Sequence, residues 1–133
     1  MQIIERFLRA RERKKLANPQ YDFLYEPHPD EMVSFDCETT SLDVKEAEII
    51  SIGAVKIRGR EILTRESFYV LVKPEGLMQA ANVKVHGLRP KDLSDGIPVE
   101  EAVYQLLDFI GGRPLVGYYL EYDVAMINKF LKP

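Results

Sequence analysis

The chain has 133 residues, of which 46% are hydrophobic and 29% charged, and its formal net charge is −3. This length suits one domain with one core, and this composition excludes a generally disordered chain. The apolar runs are far shorter than a membrane span, and the single cysteine, Cys37, excludes an internal disulfide. We therefore expect a soluble domain of the cytoplasm that has no membrane partner.

The charge is divided unevenly along the chain. The first 20 residues contain six basic and two acidic residues, a net charge of +4, and the remaining 12 basic and 19 acidic residues give −7. An acidic body does not suit a protein that grips nucleic acid by bulk electrostatics. It is compatible with a carboxylate cluster whose charge is offset by bound metal.

The N-terminal segment reads as an appendage. Residues 3–17 are predicted to form an amphipathic helix with a basic side, which an Asn-Pro pair ends. An aromatic segment, Tyr21–Tyr25, follows. We predict that residues 1–30 dock this aromatic face on a domain of residues 31–133. The basic helix is either a solvated face or a guide for nucleic acid or a partner.

The domain is predicted to begin with strands and to continue with helices. Three segments rich in Ile, Val and aromatic residues are predicted strands: Met32–Cys37, Glu48–Ile57 and Glu61–Val72. Their short connections indicate an antiparallel meander. An irregular or short-helical segment over 77–96 precedes three further elements: a helix from Pro98 to Ile110, a strand Leu115–Tyr118 and a helix Glu121–Phe130.

This order predicts an α/β fold with a ribonuclease-H-like mixed sheet, in which a three-strand antiparallel meander is followed by helix, strand and helix. Complete members of that architecture add at least one more strand and a closing helix. The C-terminal part of the domain is therefore expected to be missing from these 133 residues.

Two acids on the first strand are candidate metal ligands. Asp36 and Glu38 are two residues apart, so both side chains project from one face while Cys37 faces the other. Paired carboxylates on a rigid strand suit Mg²⁺ or Mn²⁺. Such pairs also arise by chance, and the alternative interpretation is a solvated strand end.

Further candidates lie later in the chain. Asp123 is in the first turn of the last predicted helix, close to the acid pair if Leu115–Tyr118 pairs beside the first strand; otherwise it is a helix-capping carboxylate. His86 either faces a cleft or is a buried histidine with satisfied hydrogen bonds. Tyr118 and Tyr119 either stack on a base or belong to the core.

Three segments, in this order, resemble the DEDD family of metal-dependent 3′→5′ exonucleases with the DnaQ-like fold. The first, Phe35–Asp43, contains Asp-Cys-Glu-Thr-Thr-Ser-Leu, similar to the family's Asp-x-Glu pair ahead of Thr-Thr-Gly-Leu. Ala80–Leu88 resembles the His-Gly-Ile segment, and Phe109–Val124 resembles the second motif with the third acid. The resemblance covers about residues 31–131.

The resemblance implies a function and a set of site residues. Asp36, Glu38 and Asp123 would be the catalytic carboxylates and would hold two divalent metal ions, Mg²⁺ or Mn²⁺. The reaction implied is two-metal hydrolysis of phosphodiester bonds from the 3′ end of DNA or RNA, with release of 5′-mononucleotides. Substrate-binding positions carried over are Thr39, Leu42 and His86. The partners implied are a single-stranded 3′ end and a polymerase or other protein.

The chain departs from the family pattern in three places. The family's final motif supplies a general-base histidine or tyrosine and a fourth carboxylate, and no residue after Asp123 matches either. We therefore predict that the 133 residues alone are inactive. Tyr118 and Tyr119 replace His-Asn, and Ser41 replaces a glycine.

A second hypothesis is a non-catalytic module, an exonuclease-like fold that binds nucleic acid or a protein partner through the N-terminal arm. A core face left exposed by a missing last strand would also favour self-association of the chain.

Overall fold

The computed structural model describes residues 2–74 and 95–131, with only the backbone of residues 2–7. The elements along these residues are α1 (Gln2–Lys14), a 3-10 helix (Pro19–Tyr25), β1 (Glu31–Thr39), β2 (Ile49–Arg58), β3 (Glu61–Leu71), α2 (Val99–Ile110), β4 (Leu115–Val116) and α3 (Leu120–Lys129). The predicted order of strands and helices is confirmed. No helix in the described part of the chain is long and apolar enough to cross a bilayer.

The strands form one mixed sheet in the order β3-β2-β1-β4. β1 and β2 are antiparallel, β2 and β3 are antiparallel, and β4 runs parallel to β1. The predicted α/β class and mixed sheet are therefore confirmed. The parallel pairing decides where the site lies, because it brings the start of the helix after β4 to the carboxyl end of β1.

The core lies on one face of this sheet. In β1 the apolar residues Val33, Phe35 and Cys37 are buried, whereas Asp36 between them is exposed. The apolar stripe of α2 packs on the same cluster with Val99, Ala102, Val103, Leu106, Leu107 and Ile110. The alternation of β1 thus leaves Asp36 and Glu38 on the face opposite the core.

The aromatic residues of the 3-10 helix dock on α2. Tyr21 and Phe23 contact the ring of Tyr104, with ring centroids 6.0 and 6.4 Å apart. Arg13 of α1 binds both carboxylate oxygens of Asp22, at 2.6 and 2.5 Å, and so ties α1 to the 3-10 helix. A division of the chain into an appendage of residues 1–30 and a domain of residues 31–133 stays a prediction.

Several predicted boundaries are wrong by a few residues. α1 ends at Lys14 rather than at residue 17 because Lys15 and Leu16 bond to carbonyls three residues back, which tightens the chain into a turn. β4 stops at Val116 because only two of its residues pair with β1. The predicted irregular segment over 77–96 lies almost entirely outside the described residues.

Candidate active site

Asp123 lies against the acidic end of β1. Its Oδ1 accepts a hydrogen bond of 2.9 Å from the backbone amide of Cys37, and the residue is only 3% exposed. The expectation that this helix start would approach the acid pair is therefore confirmed. The alternative interpretation was a carboxylate that only caps its own helix. It does not account for this bond to β1.

Five of the six predicted site residues line one cleft of about 350 Å³, namely Asp36, Glu38, Thr39, Leu42 and Asp123. The other residues of its wall are Cys37, Thr40, Ser41, Tyr118, Tyr119 and Tyr122. The sixth predicted residue, His86, lies outside the residues that the structure describes. The cleft therefore joins the turn after β1 to the start of α3.

Burial and the charges of neighbouring acids raise the pKa of two carboxyl groups in this cleft, those of Glu38 and Asp123. Desolvation raises the pKa of Asp123, and the charge of Asp36 raises it further, while the hydrogen bond from Cys37 acts in the opposite direction. Desolvation also raises the pKa of Glu38, with additional contributions from Asp36 and Asp123. The cluster is thus better suited to full ionisation when a cation is present.

The donor set fits a hard divalent cation in chemistry, since carboxylate oxygens are the ligands that Mg²⁺ and Mn²⁺ prefer. In residues 2–74 and 95–131, however, no three acidic, histidine or cysteine side chains converge as ligands of one ion. Asp36, Glu38 and Asp123 share a cleft without meeting at a common point. Cys37 is not an alternative ligand here because burial and the neighbouring acids raise the pKa of its thiol.

Tyr122 links the two sides of the cleft and was not predicted from the sequence. Its hydroxyl donates to the Ser41 carbonyl at 2.5 Å and lies 2.6 Å from Thr39 Oγ1, which itself donates to the same carbonyl at 2.9 Å. Burial raises the pKa of Tyr122, although the Thr39 contact lowers it, so the hydroxyl remains a donor. The feature of the sequence that could have identified Tyr122 is its position next to Asp123.

The two tyrosines before α3 do not belong to the core. Tyr118 is 97% exposed and Tyr119 is 66% exposed, so the core interpretation is wrong for both. Leu42 is similarly open, at 86% exposure. Three large side chains on the wall of one cleft therefore face solvent.

The family model described as an RNase T exonuclease matches residues 33–132. The chain belongs to this exonuclease family. The match begins in β1 and runs through α3, and so it contains the whole cleft.

Curated relatives of this chain include a subunit of DNA polymerase III and a DNA polymerase III of the PolC type. It is 34% identical over 100 residues to the DNA polymerase III subunit epsilon of Aquifex aeolicus, a match that covers 75% of this chain and 48% of that protein. It is also 34% identical over 102 residues to the PolC-type DNA polymerase III of Caldanaerobacter subterraneus, covering 77% of this chain and 7% of that protein. The chain thus spans about half of the first relative and a small part of the second.

Solved structures with the same fold include exonuclease I. The enzyme from Methylocaldum szegediense superposes with a TM-score of 0.68 at 16% identity, over 76% of this chain and 23% of that one. A zinc-bound complex of the E. coli enzyme with single-stranded DNA gives a TM-score of 0.69 at 14% identity, over 78% and 24% of the two chains. At this identity the likeness establishes the fold of the exonuclease domain.

Proposed function

We propose that the whole protein is a 3′→5′ exonuclease that hydrolyses phosphodiester bonds from the 3′ end of DNA or RNA and releases 5′-mononucleotides. The observation that carries the proposal is the hydrogen bond from Cys37 to Asp123, which places a third acid beside Asp36 and Glu38 in a chain of the exonuclease family.

Each residue of the cleft has a role in this proposal. Asp36, Glu38 and Asp123 would hold two divalent ions, Mg²⁺ or Mn²⁺. When bound, these ions would offset phosphate charge and favour ionisation of the attacking water. Asp123 is oriented by the Cys37 amide, which donates to its Oδ1. Thr39 and Leu42 would contact the terminal nucleotide.

The reaction also needs a group that accepts a proton from water. The ten residues after Asp123 contain no acid, histidine or tyrosine. We propose that the general base and a fourth carboxylate are supplied from outside these 133 residues, and that the chain alone is therefore inactive.

A polymerase is the protein partner we propose, because one relative named above is a DNA polymerase III subunit and the other is a PolC-type DNA polymerase III. Single-stranded DNA or RNA with a free 3′ end is the proposed substrate. The buried free thiol of Cys37 suits the reducing cytoplasm in which we propose the protein acts.

Hydrolysis and metal binding are tested separately. Mononucleotide release from 3′-labelled single-stranded DNA and RNA is measured with Mg²⁺ or Mn²⁺ for the chain and for Asp36→Ala. We expect no robust release by either protein. Robust release that Asp36→Ala abolishes would keep the site and contradict the inactivity of the chain alone. Release that survives in Asp36→Ala would contradict the site.

Calorimetric titration with Mn²⁺ tests the carboxylate cluster without turnover. We expect the unchanged chain to bind Mn²⁺ and Asp36→Ala to bind it more weakly. Glu61→Ala, which removes an exposed acid at the far end of β3, is the matched control and is expected to bind as the unchanged chain does.

One observation favours a second candidate, a non-catalytic exonuclease-like module. Within the described residues the three carboxylates do not converge as one ligand set. Absence of Mn²⁺ binding by the unchanged chain would favour this module over the enzyme.

A further inference from the structure

Tyr118 is the most exposed large side chain on the wall of the cleft. It is 97% exposed, although a tyrosine ring carries a large apolar area that folded proteins usually cover in part. It shares the cleft wall with the three acids and with Leu42. Exposed apolar side chains grouped around a cleft typically mark a binding surface.

The backbone next to Tyr118 is held in a conformation that bulky residues rarely adopt. Tyr119 has φ 50° and ψ 46°, in the left-handed region. Such conformations persist where the surrounding structure holds them, and they occur most often at functional sites. At Tyr119 this conformation turns the chain sharply between β4 and α3, and Tyr118 lies at that turn.

The ring of Tyr119 is fixed by a second aromatic contact. It stacks on Tyr122 with centroids 6.1 Å apart and an angle of 9° between the rings. Tyr122 is bonded in turn to Thr39 and Ser41 on the opposite side of the cleft. Tyr119, which follows Tyr118, is therefore linked through Tyr122 to the opposite side of the cleft, while no ring stacks on Tyr118 itself among the described residues.

The size of the cleft indicates what reaches Tyr118. A volume of about 350 Å³ lies at the lower end of the range for sites that hold one small ligand. A strand whose terminal nucleotide occupies the cleft must therefore continue outside it. Tyr118, on the wall and open to solvent, offers the strand a flat apolar surface.

We propose that Tyr118 is a base-stacking subsite for the nucleotide next to the 3′-terminal one. The proposal rests on the proposed function. Stacking uses the face of a base, so the subsite accepts any base of DNA or RNA. Because a base on Tyr118 has left its duplex stack, the subsite favours single-stranded ends.

Binding of fluorescein-labelled oligonucleotides to the full 133-residue chain tests the subsite. Anisotropy is measured with Ca²⁺, for DNA and RNA of the same sequence, each with a normal or an abasic penultimate position. We expect Tyr118→Ala to raise the Kd at least about fivefold and Tyr118→Phe to stay within about twofold, because phenylalanine keeps the ring. The sugar that gives the lower Kd identifies the preferred nucleic acid.

The abasic strand separates stacking from other roles of the ring. The unchanged chain is expected to lose the same affinity on the abasic strand, and Tyr118→Ala is expected to lose nothing further there. An equal loss on intact and abasic strands would overturn the proposal, as would an intact-strand Kd that Tyr118→Ala leaves unchanged. Both results leave the proposed function standing. Failure of the unchanged chain to bind either nucleic acid would overturn the subsite and contradict the proposed function as well.

Discussion

A backbone amide, rather than a cationic side chain, holds Asp123 in the cleft. The bond from the Cys37 amide joins residues 86 positions apart and satisfies one oxygen of a carboxylate that is 3% exposed. Asp36 and Glu38 add only negative charge nearby. At the scale of the residue, the buried Asp123 carboxylate therefore favours a bound cation. Without a cation, its burial beside other acids lowers the stability of the fold.

Two substitutions of Asp123 separate the bond from the charge. Asp123→Asn keeps an acceptor for the Cys37 amide and removes the charge, so we expect the free energy of unfolding in metal-free buffer to be equal or higher. Asp123→Ala leaves a buried amide without its acceptor and is expected to cost about 1–3 kcal/mol. Urea unfolding measures both.

The same variants respond differently to Mn²⁺. Mn²⁺ at about one hundred times its Kd is expected to stabilise the unchanged chain by roughly 2.7 kcal/mol and Asp123→Asn much less. Equal stabilisation of the two proteins would contradict a role for this carboxylate as a ligand.

At the scale of the element, α3 holds the turn between β1 and β2 in place. Besides Tyr122 at its start, α3 ends in Lys129, whose Nζ donates to the carbonyls of Val44, Lys45 and Ala47 at 3.0, 3.2 and 2.7 Å. Both ends of one helix therefore fix the segment that carries Thr39 and Leu42.

Lys129→Met is expected to loosen this turn. The substitution keeps much of the side-chain length and removes three hydrogen bonds from a charged donor, which we expect to cost about 1–3 kcal/mol. Hydrogen exchange of the Ala47 amide, bonded to the Asp43 carbonyl at 2.8 Å, should become faster. Lys45→Met, at an exposed position of the same turn, is the control. Unchanged exchange of the Ala47 amide in Lys129→Met would contradict a role for Lys129 in holding this turn.

The close approach between the N-terminal segment and the end of α2 requires a glycine. A methyl group at Gly112 would overlap the carbonyl oxygen of Glu26 and lie 2.7 Å from its carbonyl carbon. Both atoms belong to the backbone, which does not rotate away as a side chain does.

Gly112→Ala is therefore expected to lower the free energy of unfolding by about 1–3 kcal/mol. Gly53→Ala is the matched control, because its added methyl group would meet only the Tyr69 ring at 3.8 Å. Thermal or urea unfolding compares the two. Equal stability of both variants would show that the contact at Glu26 yields without cost.

At the scale of the whole molecule, Glu31 connects segments that are distant in sequence. It begins β1, lies 3.2 Å from Arg113 Nε before β4, and lies 3.7 Å from Arg58 at the end of β2. Partial desolvation raises the pKa of Glu31. The hydrogen bond and charge of Arg113, together with the charge of Arg58, have the larger effect, so the pKa lies below its usual value of 4.5.

This shift predicts a pH dependence of stability. A carboxylate whose pKa is lower in the folded state stabilises the fold above its unfolded pKa, and that contribution is lost as the pH falls through the folded value. Glu31→Gln should therefore unfold at lower urea concentration than the unchanged chain at neutral pH. The difference should shrink as the pH falls below 4.5. A difference that is constant over this range would contradict the ion pairs.

Local patterns were sufficient to predict much of this protein. The alternation of Val33, Phe35 and Cys37 with polar residues placed Asp36 and Glu38 on one face before any fold was known, because a strand has a period of two. Short connections between apolar segments predicted the antiparallel meander, since only neighbouring strands can be joined so tightly. The motif order indicated the family to which the chain belongs.

The tertiary structure alone decided how these pieces combine. Whether Asp123 capped its helix or joined the acid pair depended on the parallel pairing of β4 with β1, a contact between segments some 80 residues apart. The exposure of Tyr118 and the three carbonyls bound by Lys129 depend on the same packing. Strand and helix periodicities report the environment of a residue along its own element, whereas these features arise from the approach of elements that sequence spacing does not determine.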